Sequence, residues 1–375
     1  MSTFDYVIVG AGSAGCVLAN RLTEDPACRV LLLEAGAEDG SPLIRTPAAF
    51  SMLQDSPFDW AYRTVPQTHL DGRRIFSPRG RVLGGSSSIN YMMYLRGNRR
   101  DFDGWLEMGN PGWGYADVLP YFKRSEDNRD IRDRWHGSGG PLTVTNSPSL
   151  HPLVPRYLAA AQEAGLPLNP DFNGARQAGC GLYQRTIKDG MRCSAADAFL
   201  RPAQSRANLK VGIRSLVTRL LPRTGQQKCG VEYIQGRQVH QARADSELIL
   251  SGGAFNSPQL LLLSGIGPAQ ELERLGIKVV HDLPGVGKNL QDHVGARVGC
   301  EINVPLSFSA LPAAAKALAK EEYERSHTGP MAGNFLEVGG FASTEADDDW
   351  PRCSCSSCPA CLPRIQRPGR APNTA

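Results

Sequence analysis

The first thirty-five residues constrain the fold of this 375-residue chain more than any other stretch. Phe4-Asp5-Tyr6-Val7-Ile8-Val9 reads as a short buried strand that runs into Gly10-Ala11-Gly12-Ser13-Ala14-Gly15. The next seven residues, Cys16-Val17-Leu18-Ala19-Asn20-Arg21-Leu22, have helical spacing. A second apolar strand, Val30-Leu31-Leu32-Leu33, ends in Glu34, nineteen residues after the last glycine. Strand, glycine turn, helix, strand and acid in this order form the dinucleotide fingerprint in its required context. Gly10, Gly12, Ser13, Ala14 and Gly15 are expected to let the backbone approach a pyrophosphate, whose charge the helix N-terminus favours. Glu34, followed by Ala35, is placed to accept hydrogen bonds from a ribose diol and to repel a 2′-phosphate. The fingerprint alone does not separate FAD from NAD.

Two further segments carry information. Gly80-Arg81-Val82-Leu83-Gly84-Gly85-Ser86-Ser87-Ser88-Ile89-Asn90-Tyr91-Met92-Met93-Tyr94 contains a glycine–serine turn of little bulk and many donors. Such a turn can pass close to a flat ligand, although alone it reads equally as a surface loop. Gly253-Ala254-Phe255-Asn256-Ser257-Pro258-Gln259-Leu260-Leu261-Leu262-Leu263-Ser264-Gly265-Ile266-Gly267 reads as a capped helix. Ser257 suits its N-cap, Pro258 its first position and Gly265 its C-terminal stop.

Together and in this order, the three segments resemble the glucose–methanol–choline (GMC) family of FAD-dependent alcohol oxidoreductases. Residues 80–94 and 253–267 are similar to its two signature motifs. The resemblance covers about residues 4 to 351 and is closest to the choline-dehydrogenase-like branch. It implies an α/β fold: a FAD-binding Rossmann-like domain, then the beginning of an α+β substrate domain. It also implies oxidation of a primary alcohol with non-covalently held FAD as hydride acceptor, since relatives with a covalent flavin carry histidine where Ile89 stands. A carbon–carbon lyase of the same family, such as a hydroxynitrile lyase, is one alternative. A non-catalytic product that at most binds FAD is another. By the same resemblance Val82, Gly84, Gly85, Ser86, Asn90, Tyr91, Met92 and Met93 lie along the flavin, and Val217 passes the adenine. The family's catalytic base is a histidine far toward the C-terminus. None of His69, His136, His151, His240, His281 and His327 sits in a matching motif, and His293 reads as structural, so no catalytic residue is assigned.

The tail differs from the rest. Residues 352–375 hold Cys353, Cys355, Cys358 and Cys361, four arginines and no acid. Against 41 basic and 37 acidic residues overall, those four arginines account for the whole net charge of +4, so charge gives no pointer to nucleic acid. The cysteine spacing is tighter than paired zinc knuckles, and no metal site is expected. The composition is expected to mark a shifted reading frame, with the family's catalytic segment missing. The other six cysteines show no framework spacing, no apolar run approaches eighteen residues, and no leader is legible. These features lead to the expectation of a cytoplasmic protein with reduced thiols, no membrane span and a small-molecule alcohol substrate whose electron acceptor is unspecified.

The expected organisation is a FAD-binding domain over 1–300, interrupted by excursions at about 51–79 and 101–190. The start of a substrate domain follows at 301–351, then a tail unlike the family at 352–375. Strand-like runs at 209–211, 217–221, 230–234 and 248–250 are expected to rebuild the cofactor sheet. Helical patterns fall at 116–125, 152–164 and 311–325, the last stopped by Gly329-Pro330.

Overall fold

The computed structural model describes residues 2–223, 228–296, 298–299, 306–343, 350–351 and 353–357. Strand β1 (Ser2–Val9), helix α1 (Ser13–Leu22) and strand β2 (Val30–Leu33) follow each other as the fingerprint requires. Much later in the chain come β3 (Leu209–Gly212), β4 (Ser215–Leu221), β5 (Gly230–Gln235) and β6 (Gln238–Leu250). All six join one sheet in the order β3-β2-β1-β6-β5-β4. The first four are mutually parallel, while β5 and β4 continue from β6 as an antiparallel meander.

The runs Tyr6–Val9 of β1 and Val30–Leu33 of β2 are apolar because both faces of the sheet are covered there, as parallel sheets require. Side chains alternate between the faces. Ile8, Val30 and Leu32 pack under α1 against the helical turns Ala196–Leu200 and Arg201–Ala203. Val7, Val9, Leu31 and Leu33 pack on the other side with Leu220, Val231, Ala242 and Leu260. Leu260 belongs to helix α2 (Gly253–Leu263), which leaves β6 through the turn Ser251-Gly252.

That helix corrects the sequence reading. It begins at Gly253, a full turn before Ser257, and Pro258 lies inside it. A proline there removes one main-chain hydrogen bond, that to the carbonyl of Ala254, and the helix continues because its apolar side is anchored on the sheet. Gly265, at φ 81°, ends it as expected. The helix near residue 311 runs Ala313–Ser326 and is stopped by His327 at φ 54°, before Gly329-Pro330 is reached.

The rest of the described chain forms further helices and short strands outside this sheet. Helices at Tyr115–Ser125 and Val154–Glu163 match the periodic stretches. The strand Gly179–Leu182 pairs antiparallel with Val338–Ala342, which pairs in turn with Cys353–Ser357. The first residues of the tail therefore form an edge strand; Cys358 and Cys361 lie outside the described residues. None of the described cysteines is in a disulfide, and no described helix is long and apolar enough to cross a membrane.

Candidate cofactor site

The first glycine turn is held from three sides. Gly10 takes φ 98°, where a Cβ would fall 2.6 Å from the Ser251 carbonyl oxygen, and its N–H donates to the carbonyl of Leu33 at 2.8 Å. The Ser251 hydroxyl donates to the carbonyls of Val9 and Gly10, tying the turn to the end of β6. Glu34 is buried, its carboxylate accepting from the N–H of Ala11 at 2.9 Å and of Gly36 at 2.8 Å. Burial pushes its carboxyl upward, and the two main-chain donors oppose that. Glu34 thus shapes the turn as well as standing at the end of β2.

Gly12 precedes α1 and has no side-chain oxygen to cap it, so the first-turn N–H groups face open space. A Cβ on Gly12 would have only the Ser251 carbonyl oxygen within 4 Å, at 3.9 Å. A Cβ on Gly15 would lie 1.9 Å from the Gly10 oxygen, so that glycine serves helix–strand packing. The glycine–serine turn rests on this structure. Gly84 donates to Ala11 at 2.8 Å, and Gly85 approaches so closely that a Cβ would fall 2.7 Å from the Gly12 Cα.

Between these turns and α2 lies a cleft of about 870 Å³, the size range of small-molecule and cofactor sites. Gly10, Gly12, Ser13, Ala14, Glu34, Ala35, Gly85, Ser86 and Val217 all line it. Gly15 lies beneath it. Val82 is buried against Ile44, Leu53 and Ile89, and Met92 against Phe50 and Ile187. Gly84, Asn90, Tyr91 and Met93 are not on its wall.

The sequence reading missed one wall. Trp60 stacks on Tyr62 at 5.8 Å, Tyr62 meets Phe255 edge-on at 5.7 Å, and its hydroxyl donates to Asn256 at 2.8 Å. Arg81 lies over Trp60 and Arg79 over Phe255, at 4.8 and 4.6 Å. The 51–79 excursion thus leans over the cleft onto the start of α2. The contact from Tyr62 to Asn256 spans 194 residues of sequence, which no local pattern records.

Beyond the cleft the chain from Asn90 to Met93 is pinned. Tyr91 accepts from Asn334 at 2.6 Å and Met92 from the N–H of Thr186 at 2.9 Å. Met92 sits at φ 58°, in the left-handed region, with its N–H on Asn90 Oδ1 at 3.1 Å. Arg192, 2% exposed, donates to Ile44 O through Nε at 2.9 Å. Its Nη1 donates to Ser87 O at 3.2 Å and to Asn90 O and Oδ1, both at 2.8 Å.

A second polar cluster joins Arg96, Glu126, His136 and Asp171. His136 bonds Glu126 through Nδ1 and Asp171 through Nε2, each at 2.9 Å. Glu126 also pairs with Arg96 at 2.5 Å and accepts from Gly137 N at 2.9 Å. Burial disfavours the charged imidazole, but the two carboxylates outweigh it and raise His136 to about 9. Asp133, His136 and Asp171 bring ligand atoms within 4.8 Å of one another. Both ring nitrogens are already engaged by carboxylates, so the cluster is read as an ion network.

A glycine turn at a helix N-terminus, an acid at the end of the second strand and an open cleft between them define an α/β dinucleotide-binding domain. The profile of the GMC oxidoreductase family matches residues 4–295, and the chain belongs to that family. It is 48% identical over 351 residues to human mitochondrial choline dehydrogenase, covering 91% of this chain and 59% of the relative. It is 44% identical to the alcohol dehydrogenase [acceptor] of Pseudomonas putida, covering 93% and 64%. The oxygen-dependent choline dehydrogenase of Brucella anthropi is 43% identical, with 92% and 63% covered. Among solved structures, a FAD-dependent oxidoreductase from Chaetomium thermophilum superposes with TM-score 0.82 at 33% identity, covering 91% of this chain and 62% of that one. Pyridoxine 4-oxidase from Mesorbium loti gives 0.78 at 34%, covering 95% and 65%. The chain therefore spans about 60% of the length of the relatives it matches.

Proposed function

We propose that this chain carries the FAD-binding part of an oxidoreductase acting on the CH–OH group of a primary alcohol of the choline class. The observation that carries the reading is the cleft itself, where uncapped N–H groups of α1, the open space over Gly12 and an aromatic wall meet in a chain of this family. The residues present fit FAD. The first turn of α1 would hold the pyrophosphate, Glu34 the ribose, and β4 around Val217 the adenine. The segment from Gly84 to Met93 would lie along the ring system. Bound FAD supplies a hydride acceptor for the carbinol carbon. Ile89, buried among Ile44, Leu53 and Val82, offers no nucleophile, which supports non-covalent attachment.

The relatives named above are dehydrogenases and oxidases, which does not favour the lyase alternative. Residues 1–375 taken alone are expected to bind cofactor without turnover, because no described histidine is placed as a base over the cleft. The test is the visible spectrum of the purified protein with acid release of the cofactor. Released FAD upholds the reading; a colourless protein retaining nicotinamide overturns it.

A further inference from the structure

Asn90 is exposed, yet its carboxamide is not free to turn. Its Oδ1 faces two groups that can only donate, Arg192 Nη1 at 2.8 Å and the main-chain N–H of Met92 at 3.1 Å. The oxygen must point inward, so the NH₂ group must point outward, whatever ligand is present. The atom that meets Asn90 from outside is therefore an acceptor.

Arg192 is held as firmly. Ile44, Ser87 and the Asn90 carbonyl fix its guanidinium. Nη2 is buried without a hydrogen-bond partner among the described residues. Such a buried, incompletely satisfied cation is costly, and helix capping or sheet pairing gives no reason for it. Asp197 acts on the guanidinium electrostatically, but that carboxylate is itself paired with Arg45 and Arg201.

We infer that Arg192 is a positioning residue that locks Asn90 as a hydrogen-bond donor toward the redox-active ring. This rests on the FAD reading above. A fixed donor favours the form of the ring that gains negative charge on its acceptor edge, so it raises the potential of the bound flavin. Lysine keeps the charge but cannot make the forked contacts to Ile44, Ser87 and Asn90 together. Arg192→Lys therefore separates orientation from charge.

The experiment is a double-mutant cycle read by the two-electron midpoint potential of the bound flavin. Arg192→Lys and Asn90→Ala should each reduce the preference for reduced over oxidised flavin about tenfold, a fall of about 30 mV. Adding Arg192→Lys to Asn90→Ala should move the potential no further. Asn90 is exposed, so its variant tests the inference even if Arg192→Lys fails to fold. An unchanged potential in Asn90→Ala, or additive shifts in the cycle, overturns the assignment while leaving the FAD reading intact. A protein that retains no flavin overturns both.

Discussion

Replacing His136 with asparagine removes the centre of the buried network and should change how stability depends on pH. The imidazole is raised from 6.5 to about 9 in the folded chain. A group whose folded value is raised stabilises fully below its unfolded value and loses that contribution as pH rises through the folded value. At about 1.4 kcal/mol per unit, the shift is worth about 3 kcal/mol near pH 6. Most of that should be gone by pH 9.5. His136 is almost wholly buried, so solvent screening reduces this little, but the energy is shared with Glu126 and must not be counted twice. Glu126 keeps its pair with Arg96 and its bond from Gly137 N, so it is not stranded when the imidazole is removed. The assay is urea unfolding of the native and His136→Asn proteins at pH 6, 7, 8 and 9.5. The gap between the two should narrow by about 3 kcal/mol across that range. A gap constant to within about 0.5 kcal/mol would refute the charged-imidazole assignment.

Gly12→Val should fold normally, since its first added carbon meets nothing closer than 3.9 Å. It should nevertheless weaken FAD binding by about two orders of magnitude, measured by flavin fluorescence, because it fills the approach to the pyrophosphate. Gly15→Ala should act oppositely, losing about 1–3 kcal/mol of folding stability through its clash with Gly10. A preparation of residues 1–375 should not reduce a dye with choline or a simple alcohol; steady turnover would contradict the proposed division of labour. Metal analysis before and after removal of the chain beyond Pro351 should show no stoichiometric zinc, and one equivalent lost with the tail would contradict that expectation.

The sheet was legible because burial on both faces forces apolar runs such as Val30–Leu33. The glycine turn was legible because Gly10 and Gly15 answer to local geometry. The start of α2 was misread because Ser257-Pro258 is a good local cap, while the choice of start was made by the Ser251-Gly252 turn and by packing on the sheet. Glu34 showed its place but only half its work, since its bond to Ala11 spans 23 residues of sequence. The roles of His136 and Arg192 were not legible at all. Their partners Asp171 and Ile44 lie 35 and 148 residues away, and no periodicity records such a meeting.

The pairing of β1 with β6 sets a clock on biosynthesis. Ser2 lies opposite Ala242 and Val9 opposite Leu250. A ribosome adding about 5–20 residues each second needs roughly 12–50 seconds to travel from the first strand to its neighbour. Through that interval β1 can pair with β2 while its other edge stays open. The cleft, closed on one side by Ser251 and α2, does not exist until the chain has passed residue 263. Cofactor capture is thus a late event in the life of the nascent polypeptide, and factors that shield an apolar strand edge have their longest opportunity at its beginning.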